Sequence, residues 1–183
     1  MKKSLLWAGI LLCVTSCMKD RTFNIALSDA DKQVTVGTVL INEICASGST
    51  YTNEFGGSSP DWLEIYNPNF DTLKLEKDRW YVTDETTFPY KFALPEIKIP
   101  PRKFFIICCD SNDSIAQQVH TNFSLSSNGE TVAVFYKTEA GPFLQIDVHS
   151  YNSAVSGVSI GRIPDGSTNW ANCSLMTPGT SNQ

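Results

Sequence analysis

Five acids stand where a carboxylate could do proton-transfer work or hold a cation: Glu43, Asp61, Glu64, Asp84 and Asp165. Acid–base chemistry by carboxylates requires two of them to converge with different proton affinities, and a hard cation requires several oxygens at one point. Glu43, Asp61 and Glu64 come closest to such a set. They are the candidate metal ligands, and the candidate residues of a hydrolase. In the run Trp62–Tyr66, alternation puts Glu64 on the face of Trp62 and Tyr66, with Leu63 and Ile65 turned the other way into a core. A carboxylate flanked by aromatics and partly buried needs a donor, which a loop N–H or Arg162 would supply. The expected role of these acids is therefore structural.

Other patterns resemble chemistry in letters only. Gly157-Val158-Ser159-Ile160-Gly161 fits a nucleophile elbow, but Pro164 and Gly166 follow where that motif needs a helix. The two histidines, His120 in an expected loop and His149 in an expected strand, have no second histidine or cysteine at ligand spacing. Asp110, Asn112 and Ser114 alternate as in a calcium loop, yet Ile115 stands where that loop needs glycine and Thr121 where it needs glutamate. Asp110 and Asp113 are expected to cap a following helical turn at Ser114–Val119. Trp62, Tyr66, Trp80, Tyr81, Tyr90 and Trp170 could form a stacking platform for sugars, although most are expected in the core or between strands.

The first residues, MKKSLLWAGILLCVTSC, read as a bacterial lipoprotein signal over 1–17. Lys2 and Lys3 form the cationic start, Leu5 to Val14 is apolar, and Val14-Thr15-Ser16 precedes Cys17, the expected lipidation site. The apolar run is shorter than the roughly 20 residues that span a bilayer. Met18, in place of an aspartate after the cysteine, points to the outer membrane, facing periplasm or surface. Residues 18–34 are polar and read as a tether, and 35–183 as the folded domain.

Cleavage before Cys17 removes two lysines and no acid, leaving 12 basic against 19 acidic residues. Without a basic stripe this disfavours a phosphate backbone as the partner, and no nucleic acid is expected. No cofactor is expected. Of the cysteines left after Cys17, the neighbours Cys108 and Cys109 point to opposite sheet faces. Buried thiols are one outcome, and a single bridge involving Cys45 or Cys173 is the other.

Beyond Thr35 the chain consists of short β-branched and aromatic runs punctuated by Gly, Pro, Asn and Asp, which predicts an all-β domain. Strands are expected at 38–45, 62–66, 72–75, 80–83, 91–93, 103–109, 131–136, 143–150 and 159–162. Runs 104–109 and 132–136 are apolar on both faces and should lie centrally. Without crossover helices, the pairing should be antiparallel within a two-sheet sandwich.

An ordered set of motifs then carries a family resemblance: Ile41-Asn42-Glu43-Ile44; Asp61-Trp62-Leu63-Glu64-Ile65-Tyr66-Asn67-Pro68; Trp80 and Asp84; Phe92-Ala93-Leu94-Pro95; Phe123-Ser124-Leu125-Ser126 before Gly129-Glu130; Ile146-Asp147; Gly161-Arg162-Ile163-Pro164-Asp165-Gly166-Ser167; Trp170; and Thr177-Pro178-Gly179. From about Val39 to Asn182 the chain resembles a bacterial lamin-tail domain. The resemblance implies an immunoglobulin-like β-sandwich of the kind borne by nuclear lamins and by exported bacterial proteins, where it tethers or binds. The expectation is a lipid-anchored, non-enzymatic envelope protein that binds or scaffolds a protein or glycan. A carbohydrate-binding or adhesion module is the first alternative, and a hydrolase with an unrecognised carboxylate site the second. A sugar-binding module would have to show an exposed aromatic cluster on a loop face.

Overall fold

A strand written Leu-Ile-Asn-Glu-Ile-Cys cannot bury both isoleucines by simple alternation, because Ile41 and Ile44 are three residues apart and would face opposite ways. A β-bulge resolves this in the computed structural model, which describes residues 28–35, 37–52, 59–115 and 117–183. Ile41 pairs with Ile65 and Glu43 with Glu64, so Asn42 is an extra residue on its strand. Both isoleucines then enter the core, and Asn42 and Glu43 are delivered side by side to the outer face.

Among the described residues there are thirteen strands and no α-helix. The strands are β1 (Leu40–Cys45), β2 (Asp61–Tyr66), β3 (Leu73–Leu75), β4 (Trp80–Thr83), β5 (Phe92–Ala93), β6 (Ile97–Ile99), β7 (Phe104–Cys109), β8 (Ser114–Ile115), β9 (Val119–His120), β10 (Glu130–Lys137), β11 (Phe143–Tyr151), β12 (Ser159–Arg162) and β13 (Trp170–Cys173). One sheet runs β13-β12-β1-β2-β7-β9-β8; a second runs β11-β10-β4-β5; β3 and β6 form a short third. The first packs on the other two as an all-β sandwich. Ile41, Leu63, Ile65 and Ile107 come from the first sheet, Trp80, Val82, Val134 and Ile146 from the second, and Leu75 and Ile99 from the third.

The two strands that are apolar on both faces do lie centrally, β7 between β2 and β9, and β10 between β11 and β4. Several local expectations around β8 and β9 require correction. Ser114–Val119 is not a helical turn: β8 and β9 pair there, and β9 runs parallel to β7, against the antiparallel expectation. His120 is thus a strand residue, fully buried, with its Nδ1 2.9 Å from an Asp110 oxygen. Asp110 serves that ring instead of capping a helix. Of the two outcomes left open for the cysteines, the structure shows buried thiols: Cys45, Cys108, Cys109 and Cys173 are all buried and none forms a disulfide. These thiols suit a packing role, and burial pushes Cys45 up to about 11.

The expected signal segment, Cys17 and most of the expected tether lie outside the described residues. The end of the tether does not hang free. Asp31, within a 3-10 turn at Asp31–Gln33, is fully buried, pairs with Arg79 at 2.8 Å and accepts from the Tyr136 hydroxyl and the Glu139 N–H. Burial alone would raise its pKa. The bonds from Glu139, Tyr136 and Ser28 more than offset that and hold it below the usual carboxylate range. The folded body therefore begins before residue 35.

Candidate functional site

Strand β1, with its bulge, sets Asn42 and Glu43 beside Glu64 of β2 on the outer face of the large sheet, and the C-terminal segment Thr177–Asn182 lies over them. Glu64 is fully buried and accepts from Asn42 Nδ2 at 3.1 Å and from the Gly179 N–H at 2.7 Å. Glu43, equally buried, accepts from the Ser159 hydroxyl and from the Thr177 N–H at 3.1 Å. Asp165 accepts from Asn42 Nδ2 and the Asn182 N–H, each at 3.0 Å. Gly161 is bare because a Cβ there would lie 2.5 Å from Asn182 Nδ2.

A proton count assigns the state of Glu43. Asn182 Nδ2 donates to the carbonyls of Asn42 and Arg162, which leaves Asn182 Oδ1 as the acceptor 2.8 Å from Thr177 Oγ1. That hydroxyl also lies 2.9 Å from Glu43 Oε2, and it has one proton for two acceptors. If Glu43 is protonated at Oε2, both contacts become hydrogen bonds, Glu43 to Thr177 and Thr177 to Asn182. Burial raises the Glu43 pKa in the same sense. Glu64 is pushed up to about 8 by burial, with the Gly179 and Asn42 donors pulling it down only part of the way and the Asp165 charge adding repulsion.

Asp61 does not join this pair. Alternation along β2 turns it to the opposite face of the sheet from Glu64. There burial, and then the charge of Glu130, raise it to about 6. The three sequence candidates therefore never converge, and among the described residues no group of three His, Cys, Asp or Glu is placed to hold a metal ion. Asp84 is paired with Lys91 at 2.5 Å. Ser159 sits inside β12 as the donor to Glu43, not on a turn. The donor to Glu64 is a loop N–H, one of the two sources the alternation argument allows. Arg162 instead binds the Ile41 carbonyl at 2.7 Å and Asp147 at 3.0 Å beneath Trp170, while His149 stacks on the same indole at 3.5 Å. Burial, and then the Arg162 charge, lower His149 to about 4, so it is neutral at neutral pH.

The aromatic candidates divide. Trp62, Tyr66, Trp80 and Tyr81 are buried and Trp170 is half-buried. Only Tyr90 is open, at 53 % exposure, and its neighbours are two rings that sequence reasoning did not single out. On the outer face of the smaller sheet, Tyr81, Ala133 and Phe135 form a second apolar cluster covered by Ala93 and Phe143. From it a strip of rings climbs outward: Tyr81 to Phe143 at 5.2 Å, Phe143 to Tyr90 at 5.9 Å, and Tyr90 to Phe88 at 4.2 Å, with Phe88 40 % exposed.

The β4–β5 loop that carries Phe88 and Tyr90 is tied at several points. The Thr83 hydroxyl accepts from the Glu85 N–H and donates to the Glu85 carbonyl, both at 2.9 Å. The Phe88 N–H reaches the Glu85 carbonyl at 2.8 Å, and Asn122 Nδ2 holds the Lys91 carbonyl at 2.9 Å. A polar depression of about 400 Å³ lies elsewhere, between Gln33, Thr38, Asn69 and Asp71, and gathers no set of ionisable groups.

Fold and geometry together define an all-β sandwich whose buried acids serve its own backbone and loops, and which holds an aromatic strip out to solvent. No protein-family model matches the chain, and no curated protein matches it.

Proposed function

We propose that this is a lipid-anchored cell-envelope protein, attached to the bacterial outer membrane through acylated Cys17, whose immunoglobulin-like sandwich of the lamin-tail type acts by binding rather than by catalysis. The observation that carries the reading is the pair of exposed rings Phe88 and Tyr90, held on a loop tied at both ends beside half-buried Phe143 of β11. Exposed apolar rings forgo burial worth roughly 1.5–3 kcal/mol per fully buried side chain, so holding two of them out in a fixed position favours a role in contact. The proton and hydrogen-bond inventory supports the same reading, because Glu43 and Glu64 are already engaged by Ser159, Thr177, Asn42 and Gly179. Among the described residues no helix is long and apolar enough to cross a membrane. On this reading the anchor is the lipid.

Cys17→Ala should abolish acylation and leave the protein unprocessed or released from the membrane fraction. Fatty-acid labelling that survived in this variant would overturn the anchor. Cross-linking on intact cells, with the non-acylated variant as control, should enrich a defined envelope component. Turnover of a substrate by the purified protein, lost on Glu64→Gln, would replace the binding reading with a hydrolytic one.

A further inference from the structure

The ring strip raises the question of what chemistry would cover it. Two open rings and the adjoining half-buried Phe143 offer on the order of 200–300 Å² of apolar surface, since an aromatic side chain presents about 150–250 Å² in full. A stable protein interface needs roughly 800 Å² from each partner. The strip is too small for that and suits a ligand that stacks on a few rings.

Charge narrows the class further. Lys91, the nearest cation on the loop, is held by Asp84 at 2.5 Å and lies over the Phe123 ring. Glu85 accepts from the Thr87 hydroxyl at 3.0 Å. The mature chain carries an excess of acids, so phosphate, sulfate and uronate groups are repelled and nucleobases on a phosphate chain are disfavoured. Thr87 precedes Phe88 on the loop and donates to the Glu85 carboxylate, and exposed Gln145 lies two residues from Phe143 on β11, on the same face by alternation. The rings are tilted to one another, Tyr90 by 49° to Phe88 and by 36° to Phe143, so each offers its own apolar face. Such a face bordered by donors and acceptors matches a neutral sugar, which has C–H groups on one face and hydroxyls at its edge.

We infer that Phe88, Tyr90 and Phe143 form a stacking platform for a neutral polysaccharide, with Gln145, Thr87 and Glu85 at its polar border. This rests on the binding reading above and names the partner class for it. Because the β4–β5 loop is already pinned by Thr83 and Asn122, little ordering cost attends binding, and a short ring strip can retain a measurable affinity. Phe70, 83 % exposed and beneath Arg102 away from the strip, is the internal control for unspecific stickiness.

Affinity electrophoresis of the detergent-solubilised acylated protein through gels containing soluble β-glucan, xylan, mannan or galactomannan tests this, with alginate as the anionic probe. At least one neutral polymer should retard the wild-type protein. Tyr90→Ala and Phe88→Ala should each weaken that retardation about tenfold, roughly the worth of one stacked ring, with melting temperatures near the parent's. Phe70→Ala should leave it unchanged. Retardation by alginate alone, retardation by no polymer, or retardation that survives the Tyr90→Ala, Phe88→Ala double variant would each overturn the inference. So would concentration-dependent self-association lost on Tyr90→Ala, since the occupant would then be a second copy. If cross-linking to an envelope protein persists while every glycan fails, the assignment of a sugar falls and the binding reading stands.

Discussion

Thermal stability should rise as the pH is lowered from about 8 to about 5, opposite to the usual behaviour of a protein rich in carboxylates. Glu64 carries the effect. Its folded pKa, near 8, lies above the ordinary carboxyl value, so the folded state binds a proton that the unfolded chain would release. Stability from such a group is fully present below the unfolded pKa and is lost as pH climbs through the folded one. Glu43, raised by burial, acts in the same direction. At about 1.4 kcal/mol per unit, the loss between pH 5 and 8 is on the order of 4 kcal/mol for Glu64, a large part of a normal domain's 5–15 kcal/mol.

His149, lowered to about 4, opposes this in mild acid, because the unfolded imidazole takes up a proton near its ordinary value that the folded one refuses. Below the carboxyl range the slope reverses outright. Asp31 is held below its ordinary value, and the stability it contributes is lost as pH falls. Denaturant unfolding across this range should therefore show a maximum in mild acid. Glu64→Gln should flatten the limb between pH 5 and 8, with a cost of about 1–2 kcal/mol at pH 5 because a glutamine offers one acceptor where Asn42 and Gly179 supply two donors. A wild-type profile that rose steadily to pH 8 would show Glu64 ionised in the fold.

Leu63→Asp should prevent folding altogether. Leu63 is 1 % exposed, on the core face of β2, a strand flanked by β1 and β7 in the large sheet. An aspartate there would sit among the apolar residues of the core, Ile41, Ile65 and Ile107 among them, and an unpaired buried charge costs several kcal/mol on top of the lost leucine packing. The sum is comparable to the whole stability of the domain. Circular dichroism and proteolysis should report an unfolded chain. A variant that melted like its parent would mean that Leu63 is not on the core side.

Much of this body is written in local pattern. Alternation in Trp62–Tyr66 correctly sends Leu63 and Ile65 inward and Glu64 outward, and the doubly apolar runs of β7 and β10 foretell their central places, because side-chain direction in a strand depends only on position along it. The short elements are less legible. Residues Ser114–His120 contain letters that suit a helix as well as a strand, and two-residue pairings such as β8 with β9 have no period of their own. Their partners, β7 for β9 above all, are chosen by tertiary contact.

The candidate acids show the same division. Sequence by itself determined that Glu64 shares a face with aromatics and requires a donor, that Asp61 takes the other face, and that the chain is acidic and built of strands. Only the tertiary structure decided that a bulge at Asn42 turns Glu43 to the side of Glu64, and that Thr177, Gly179 and Asn182 arrive from the far end of the chain to satisfy both acids. Likewise Phe88 and Phe143 carry no signal singling them out until the β4–β5 loop and β11 bring them to Tyr90. The reason is physical. Face and propensity are properties of neighbours along the chain, whereas hydrogen-bond satisfaction, proton affinity and ring stacking depend on groups that meet only after the sheets have closed.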